Sequence, residues 1–393
     1  MKNYSELIAE NQAWAQEIFE KIDKKMQKVA VRSRNIIPDG YGTDEHGMHI
    51  DCLESNPHLW TNGFWGGLNY MLYAYTKNEE YLKTAKNAEL LMDKTLKNWD
   101  RLSHDMGFLW HIAAGAGYRL TGDVDSRRRN LYAASVLACR FIVGSNYLRA
   151  FNNWGDFDGN KDWSIIDTMM NLPLLYWASE EIGDDRFKRM AMAHADMAIR
   201  DHLRPDGSII HIICHDRSNP EITSVIDESQ GYSGNSSWSR GQAWALYGFT
   251  LSYIHTGEER YLNAAKQVAN YFIANCAATE WLPLSDFRAP SEPVVYDSSA
   301  GGCACCGLIE LAKHLPEHEG GLYLSGALNI LKAMTEKFAC FDEERDELML
   351  FGSHQYPRKT LSHKPKVHIN ILYSDYYYTE AILKLLGSDF LPW

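Results

Sequence analysis

The sequence has no long apolar run, no basic tract and no low-complexity linker. Although 45% of its 393 residues are hydrophobic, no apolar stretch approaches the roughly 20 residues that a membrane span requires. The formal net charge is -12, and no run of Lys and Arg indicates a surface for nucleic acid. These absences predict a protein whose main partner is neither nucleic acid nor a membrane.

Cysteine is also scarce, with eight residues that do not form a disulfide framework. The only cluster, Cys303-Ala-Cys305-Cys306, lacks Cys-x-x-Cys spacing and nearby His partners. We interpret it as small residues at the start of a packed helix, with a metal or redox site as the alternative. Residues 1–30 are charged and amphipathic, without the apolar core of a signal peptide, so a cytoplasmic location is expected.

The absence of a linker favours a single domain over residues 1–393, although the length alone permits two or three domains. Apolar side chains within residues 5–30 follow a helical stripe, whereas residues 35–56 have no period and predict a loop. Residues 211–214 and 347–351 are candidates for short strands or hairpins.

A helix–turn–helix pattern recurs along the chain. A helix end is followed by a Gly or Asn turn and then by acidic residues, as helix ends and starts prefer. The spacing of roughly 45 to 75 residues is too irregular for a tight solenoid, so a closed ring of helical hairpins is expected. The four turns lie at residues 75–82, 118–123, 181–187 and 255–262.

One carboxylate, Asp167, stands inside the otherwise apolar run Trp163–Leu175. A buried charge there must be paired, hydrogen-bonded or protonated. Because desolvation raises a carboxyl pKa, Asp167 is a candidate general acid. The alternative is that Asp167 caps a helix that starts at Thr168.

Tryptophan is concentrated in Gly- and Asn-rich loops. Trp offers a large flat apolar face and one hydrogen-bond donor, which suit a pyranose ring, although core packing is the alternative for each of them. The loop tryptophans are Trp60, Trp65, Trp154, Trp238 and Trp244.

Four motifs together are specific. In chain order they are His104-Asp105-Met-Gly-Phe108, Ile165-Ile-Asp167-Thr-Met-Met-Asn171, Gln230-Gly-Tyr232 and Ser237-Trp-Ser-Arg240-Gly-Gln-Ala-Trp244. The chain resembles the unsaturated glucuronyl hydrolases, family 88 of the glycoside hydrolases, from Trp60 to the closing segment Ser374–Ala381.

The resemblance implies an all-α fold, an (α/α)6 barrel of helical hairpins whose long aromatic loops form a pocket. It implies a substrate left by a polysaccharide lyase, with a 4-deoxy uronic acid and a C4=C5 double bond at its non-reducing end. Asp167 is then the catalytic acid and base, and Asp105 the second essential carboxylate. The candidates for substrate binding are Trp60, Trp65, His104, Trp154, His211, Gln230, Arg240 and Trp244.

The implied chemistry is hydration. Asp167 protonates C4 of the vinyl ether, water adds at C5, and the resulting hemiketal opens to release the partner sugar. Asp105 would hold hydroxyls and help to raise the pKa of Asp167, and the Arg240 fork fits a uronate carboxylate. No metal or other cofactor is required, and residues 156–162 resemble a calcium loop only weakly because the closing bidentate Glu is absent.

The match is weakest where some relatives recognise sulfated sugars. Ser229 stands where those relatives carry Arg, and the C-terminal Ser/Lys pattern is altered around Lys364 and Lys366. These two lysines are candidates for contacts with the leaving sugar, or they form only a solvated basic face. The alternative functions are an unsaturated rhamnogalacturonyl hydrolase, an isomerase or epimerase on the same barrel, and a non-catalytic sugar-binding protein.

Overall fold

A computed structural model describes residues 2–152, 162–216, 219, 223–227, 229–358 and 365–393. The α-helices, in chain order, are α1 (Tyr4–Arg32), α2 (Gly63–Thr76), α3 (Glu79–Leu96), α4 (Ala116–Thr121), α5 (Val124–Ala138), α6 (Leu172–Ile182), α7 (Arg186–Asp201), α8 (Ser239–Thr256), α9 (Glu259–Ala277), α10 (Ser298–Lys313), α11 (Glu317–Phe338) and α12 (Leu372–Leu385). A π-helix, Gly107–Gly115, continues directly into α4.

Short strands occupy the loops between these helices. They are β1 (Pro38–Thr43), β2 (His49–Asp51), β3 (Phe141–Ile142), β4 (Tyr147–Leu148), β5 (Trp163–Ile165), β6 (Ile212–His215) and β7 (Thr223–Val225). Strands β1 and β2 form one antiparallel pair, β3 and β4 form another, and β5, β6 and β7 form a three-stranded sheet.

The helices form two concentric rings. The inner ring runs through α2, the π-helix with α4, α6, α8, α10 and α12, and α12 packs back against α2 to close it. The outer ring contains α1, α3, α5, α7, α9 and α11. All residues from Ser239 to Ser252 of α8 are buried, as expected for an inner helix, whereas α9 buries one stripe. The predicted (α/α)6 barrel is confirmed.

The predicted helical hairpins are confirmed at their turns. Gly122, Gly183 and Gly257 adopt left-handed φ angles of 72°, 66° and 72° at the ends of α4, α6 and α8. Glycine tolerates this conformation without steric cost, so at each of these turns the chain reverses sharply and enters the next outer helix. The first hairpin places Lys77 at the same position, with φ 59°.

The predicted loop over residues 35–56 is wrong, because this segment contains the β1–β2 hairpin. Its turn is held by Asp44, whose Oδ1 accepts hydrogen bonds from the N–H groups of His46 (2.8 Å) and Met48 (2.9 Å). The pairing is irregular between Pro38 and Thr43, so the strand shows no regular two-residue alternation in the sequence.

Two other local predictions have different outcomes. The strand predicted near residues 211–214 is confirmed as β6. In contrast, residues 347–351 contain only an isolated bridge between Met349 and Ala339 among the described residues.

The cysteine cluster is buried in α10, where the thiols of Cys305 and Cys306 lie 3.5 and 3.2 Å from backbone carbonyls of neighbouring helices. The packed helix was predicted, but the cluster lies in the middle of α10 and not at its start. No described helix has the length and apolar character needed to cross a membrane.

Candidate active site

Asp167 does not cap a helix. It lies in a 3-10 turn, Ile166–Met170, between β5 and α6, and the N-cap position of α6 belongs to Asn171. Only 14% of the Asp167 side chain is exposed, and its Oδ1 has no hydrogen-bond partner among the described residues. The structure therefore rejects the capping alternative and leaves a buried carboxylate oxygen without a structural role.

His211 directs a ring nitrogen at this carboxylate. Its Nε2 lies 3.5 Å from Asp167 Oδ1, beyond a well-formed hydrogen bond. On the other side of the ring, Nδ1 accepts the N–H of Gln230 at 3.2 Å and lies 3.1 Å from Ser229 Oγ. Because the backbone N–H can only donate, the neutral ring carries its proton on Nε2, facing Asp167.

The pKa of Asp167 lies below its ordinary value, contrary to the sequence prediction. Burial raises this pKa, but the proximity of His211, together with His104 and Arg240, outweighs that effect. The free site therefore holds Asp167 as a carboxylate.

Asp105 has the opposite shift. Burial raises its pKa above the ordinary value despite His104 and the Ser103 hydroxyl, and the negative charge of Asp167 acts in the same direction. Ser103 Oγ donates to Asp105 Oδ2 at 2.7 Å, and His104 Nε2 lies 3.6 Å from Asp105 Oδ1. The carboxyl with the raised pKa is thus Asp105, which immediately precedes the segment leading into the π-helix.

His104 connects the two carboxylate-bearing segments. Its Nδ1 lies 2.6 Å from the hydroxyl oxygen of Thr168, the residue that follows Asp167. The ring is buried, and burial lowers the pKa of His104. A neutral His104 therefore fixes Asp105 and Asp167 on facing segments of one site.

Trp60 contributes the partly exposed aromatic face of this site. Its Nε1 donates to the hydroxyl of Tyr41 at 2.6 Å, and its ring packs 4.8 Å from Tyr373. The charges of Asp105 and Asp167 both act to raise the pKa of Tyr41, after the larger effect of burial. Sequence reasoning missed Tyr41 because it lies on β1, in the segment interpreted as a loop.

Tyr41 also lines a cavity of about 320 Å³. The rings of Tyr41 and His354 are 4.3 Å apart at its wall. Lys366 is 56% exposed at its rim, where Nζ donates to the Tyr41 carbonyl at 2.8 Å and lies 3.9 Å from Asp39 Oδ2. The lining residues are Asp39, Tyr41, Cys52, Ser55, Asn56, Leu59, His354 and Lys366.

Arg240 is fully buried, and its fork is already occupied by protein groups. It forms an ion pair with Asp297 and donates to the backbone carbonyls of Ser353 (2.8 Å) and His354 (2.7 Å). Gln230 Nε2 donates to the same His354 carbonyl at 2.9 Å. In this structure Arg240 and Gln230 hold the loop that carries His354, and only Nε of Arg240 lacks a described partner.

Trp65 and Trp244 do not line the pocket in this structure, because both are fully buried. Trp65 meets the edge of His49 at 5.3 Å, and Trp244 packs against Phe108 at 5.2 Å and Tyr377 at 5.5 Å. Neither ring has an exposed face on which a sugar could stack, so the core-packing alternative holds for them. Trp154, Lys364 and residues 156–161 of the weak calcium motif lie outside the described residues.

The described residues contain no group of three His, Cys, Asp or Glu side chains arranged to hold a metal ion. The described site brings together two carboxyls with opposite pKa shifts, two imidazoles and an aromatic wall. This set can transfer a proton to a bound neutral group and hold hydroxyls.

Comparisons with known proteins give one family. An unsaturated glucuronyl hydrolase from Bacillus sp. (strain GL1) is 34% identical over 83% of this chain and 86% of the relative. An unsaturated chondroitin disaccharide hydrolase from Streptococcus pneumoniae is 31% identical over 85% of this chain and 83% of that relative.

Solved structures agree with the sequence relatives. A crystal structure of an unsaturated glucuronyl hydrolase variant from Streptococcus agalactiae, complexed with dGlcA-GalNAc6S, matches with a TM-score of 0.79 and 26% identity, and the match covers 96% of this chain and 94% of that one. No protein-family model matches the sequence. The similarity of the chain to these proteins in sequence and fold shows that it is a glycosidase of the unsaturated glucuronyl hydrolase family.

Proposed function

We propose that this enzyme removes the 4,5-unsaturated uronic acid from the non-reducing end of lyase-generated oligosaccharides of the glycosaminoglycan type. The observation that carries the proposal is the buried Asp167, which caps no helix and faces His211. The next residue, Thr168, contacts His104, which in turn lies beside Asp105. The relatives' names point to the same class of substrate.

The proposed reaction adds one molecule of water across C4=C5. Asp167 gives its proton to C4, positive charge develops at C5 and the ring oxygen, and the water oxygen bonds to C5 while a water proton returns to Asp167. The C5 hemiketal then opens to a ketone, and the hemiacetal at C1 opens to an aldehyde as the partner sugar leaves. One residue thus acts first as acid and then as base.

Asp167 must gain its proton when substrate is bound, because the free site favours the carboxylate. The uronate brings a second negative charge into a buried site, and a nearby like charge raises a carboxyl pKa. The bound substrate therefore supplies part of the shift that Asp167 needs. Asp105, with its raised pKa, is suited to hold substrate hydroxyls beside it.

The cavity beside Tyr41 is proposed to receive the leaving sugar. It shares Tyr41 with the carboxylate site and has hydroxyl, amide and imidazole groups on its wall. Lys366 stands at its rim as a candidate for sugar or sulfate contacts, although its ammonium group already contacts the Tyr41 carbonyl and Asp39. Lys364 retains its sequence-based role as a second candidate.

We also propose that the enzyme acts in the cytoplasm without a cofactor, a nucleic acid or a membrane as partner. No disulfide bond joins the cysteines of the described residues, as is typical of a reducing compartment. The net charge of -12 gives the surface little affinity for polyanions. Fractionation of cells, with detection of the protein and of its activity in each fraction, tests the location.

The direct test follows the ultraviolet absorbance of the conjugated alkene in an unsaturated chondroitin or hyaluronan disaccharide. The enzyme should remove this absorbance, whereas a sugar-binding protein or an isomerase leaves it. Asp167→Asn is the matched variant, because an amide cannot donate a proton to carbon, and it should lose about 10²–10⁴-fold in kcat. Turnover of unsaturated rhamnogalacturonan disaccharides alone would favour that alternative specificity.

A further inference from the structure

A buried serine lies behind the active site and links strand β5 to two histidines. Ser164 is the middle residue of β5 and has no exposed surface. Its Oγ lies 2.9 Å from Nε2 of His202 and 2.8 Å from Nε2 of His215. His202 ends helix α7 and His215 ends strand β6, so one hydroxyl joins three elements.

The hydrogen bonds that link His215, Ser164 and His202 all run in one direction. His202 Nδ1 lies 2.7 Å from the carbonyl oxygen of Ile210, which can only accept, so the neutral ring carries its proton on Nδ1. Nε2 of His202 then accepts the single proton of the Ser164 hydroxyl. The serine oxygen accepts in turn from His215, whose proton is on Nε2.

Both imidazoles are buried, which favours the neutral form that these hydrogen bonds require. Burial lowers the pKa of His202 to about 4 and also lowers the pKa of His215. If the hydroxyl were removed, a donor on His215 and an acceptor on His202 would remain buried without their partner. Such unsatisfied groups destabilise the arrangement that they belong to.

The same pair of strands carries the catalytic candidates. Ser164 is paired with Ile213 across the antiparallel ladder, and the N–H of Ile166 donates to the His211 carbonyl at 3.1 Å. Asp167 follows β5 and His211 precedes β6, so both lie at the same end of the ladder. The register of β5 against β6 therefore sets how Asp167 faces the Nε2–H of His211.

We propose that Ser164 is a positioning residue for the reaction. Through His202 and His215 it holds β5 against β6 and α7, and thereby keeps Asp167 and His211 in their catalytic arrangement without touching substrate. The proposal rests on the assignment of Asp167 as the proton donor. That assignment is tested separately by Asp167→Asn, so the two can fail independently.

The first test is a kinetic comparison of variants on an unsaturated disaccharide. A small misplacement of a catalytic group costs up to about 10²-fold in rate, so Ser164→Ala should lower kcat by about 10- to 100-fold with little change in KM. Ser164→Thr keeps the hydroxyl on a residue suited to a strand and should retain most of kcat. Ser252→Ala is the matched control, because it truncates a buried serine of α8 that interacts with Tyr176 at 3.2 Å.

A double-mutant cycle with His211→Leu separates positioning from general stability. If Ser164 acts through the His211–Asp167 pair, Ser164→Ala should have little further effect on kcat in the His211→Leu background. Equal fold losses in both backgrounds, or a loss no larger than that of Ser252→Ala, would overturn the proposal. Ser164→Cys, which keeps a weak donor, takes the place of Ser164→Ala in the cycle if the alanine variant does not fold.

Discussion

At the scale of single residues, Asp105 and Asp167 have different effects on stability although both are buried carboxyls. The pKa of Asp167 is lowered, so its charge stabilises the folded state at pH values above the ordinary pKa. The pKa of Asp105 is raised, so its charge destabilises the folded state above that raised pKa and has no such effect below the ordinary value of 3.8.

Replacing each residue with Asn should therefore shift stability in opposite directions. At pH 7 we expect Asp167→Asn to lower the midpoint of urea unfolding and Asp105→Asn to raise it, while both variants are severely impaired in turnover. The gain from Asp105→Asn should fade as the pH falls toward 3.8. Shifts of the same sign for both variants at pH 7 would contradict the opposite electrostatic environments.

Arg240 provides a second residue-scale prediction. Arg240→Ala leaves Asp297 buried without its partner, and breaking a buried ion pair costs about 3–5 kcal/mol. We expect a large fall in the free energy of unfolding, measured by urea denaturation. A different result would identify Arg240 as the uronate contact. In that case Arg240→Ala would leave stability unchanged and raise KM by about 10- to 100-fold, and this difference in KM from the wild type would disappear when the substrate carboxylate is reduced to an alcohol.

The sequence motifs predicted part of the site at this scale. The motifs around Asp105 and Asp167, together with His211, lead to residues that the fold brings together. Burial is the property that a motif does not reveal: Trp65 and Trp244 stand in loop-like, Gly-rich contexts, yet both are in the core. Tyr41 and His354 were missed because their proximity arises from two segments more than 300 residues apart.

At the scale of secondary-structure elements, the β1–β2 hairpin meets the segment that carries Lys366. Asp39 and the carbonyl of Tyr41, both on β1, contact the Lys366 ammonium group. An exposed pair of this kind is worth about 0.2–1 kcal/mol. The hairpin therefore holds the Lys366 ammonium group, which a sulfated leaving sugar would need to contact.

Asp39→Asn should release this charge and raise kcat/KM on a sulfated unsaturated disaccharide by up to about five-fold, with little effect on the unsulfated one. Replacing Lys364 and Lys366 together with Ala should do the reverse and lower efficiency mainly on the sulfated substrate. If all variants change both substrates alike, the lysines form only a solvated basic face.

Element types were predictable where a local signal existed. Helix α1 and the four hairpin turns follow from apolar stripes and from residues that end or start helices. The β1–β2 hairpin was not predictable, because its irregular pairing removes the alternation that identifies a strand. Strand β5 was missed because three residues inside an apolar run cannot be distinguished from the start of a helix by periodicity.

At the scale of the whole molecule, repeated helical hairpins predicted a closed ring, but the number of hairpins came from the resemblance to the family. Closure depends on the packing of α12 against α2, a contact between residues about 300 positions apart that no local pattern records. The closed inner ring matters for function because it brings loops from distant parts of the chain to one site.

The proposed reaction adds water across C4=C5 and does not displace the leaving group at C1. A conventional glycosidase with paired carboxylates places the oxygen of water on the anomeric carbon. The reaction should be run in heavy-oxygen water and in deuterated water, and the products analysed by mass spectrometry and NMR before the label exchanges. Hydration by Asp167 should place heavy oxygen at C5 and one deuteron at C4, delivered to a single face of the ring. Heavy oxygen at C1, or no deuteron at C4, would contradict it even if Asp167 proved essential.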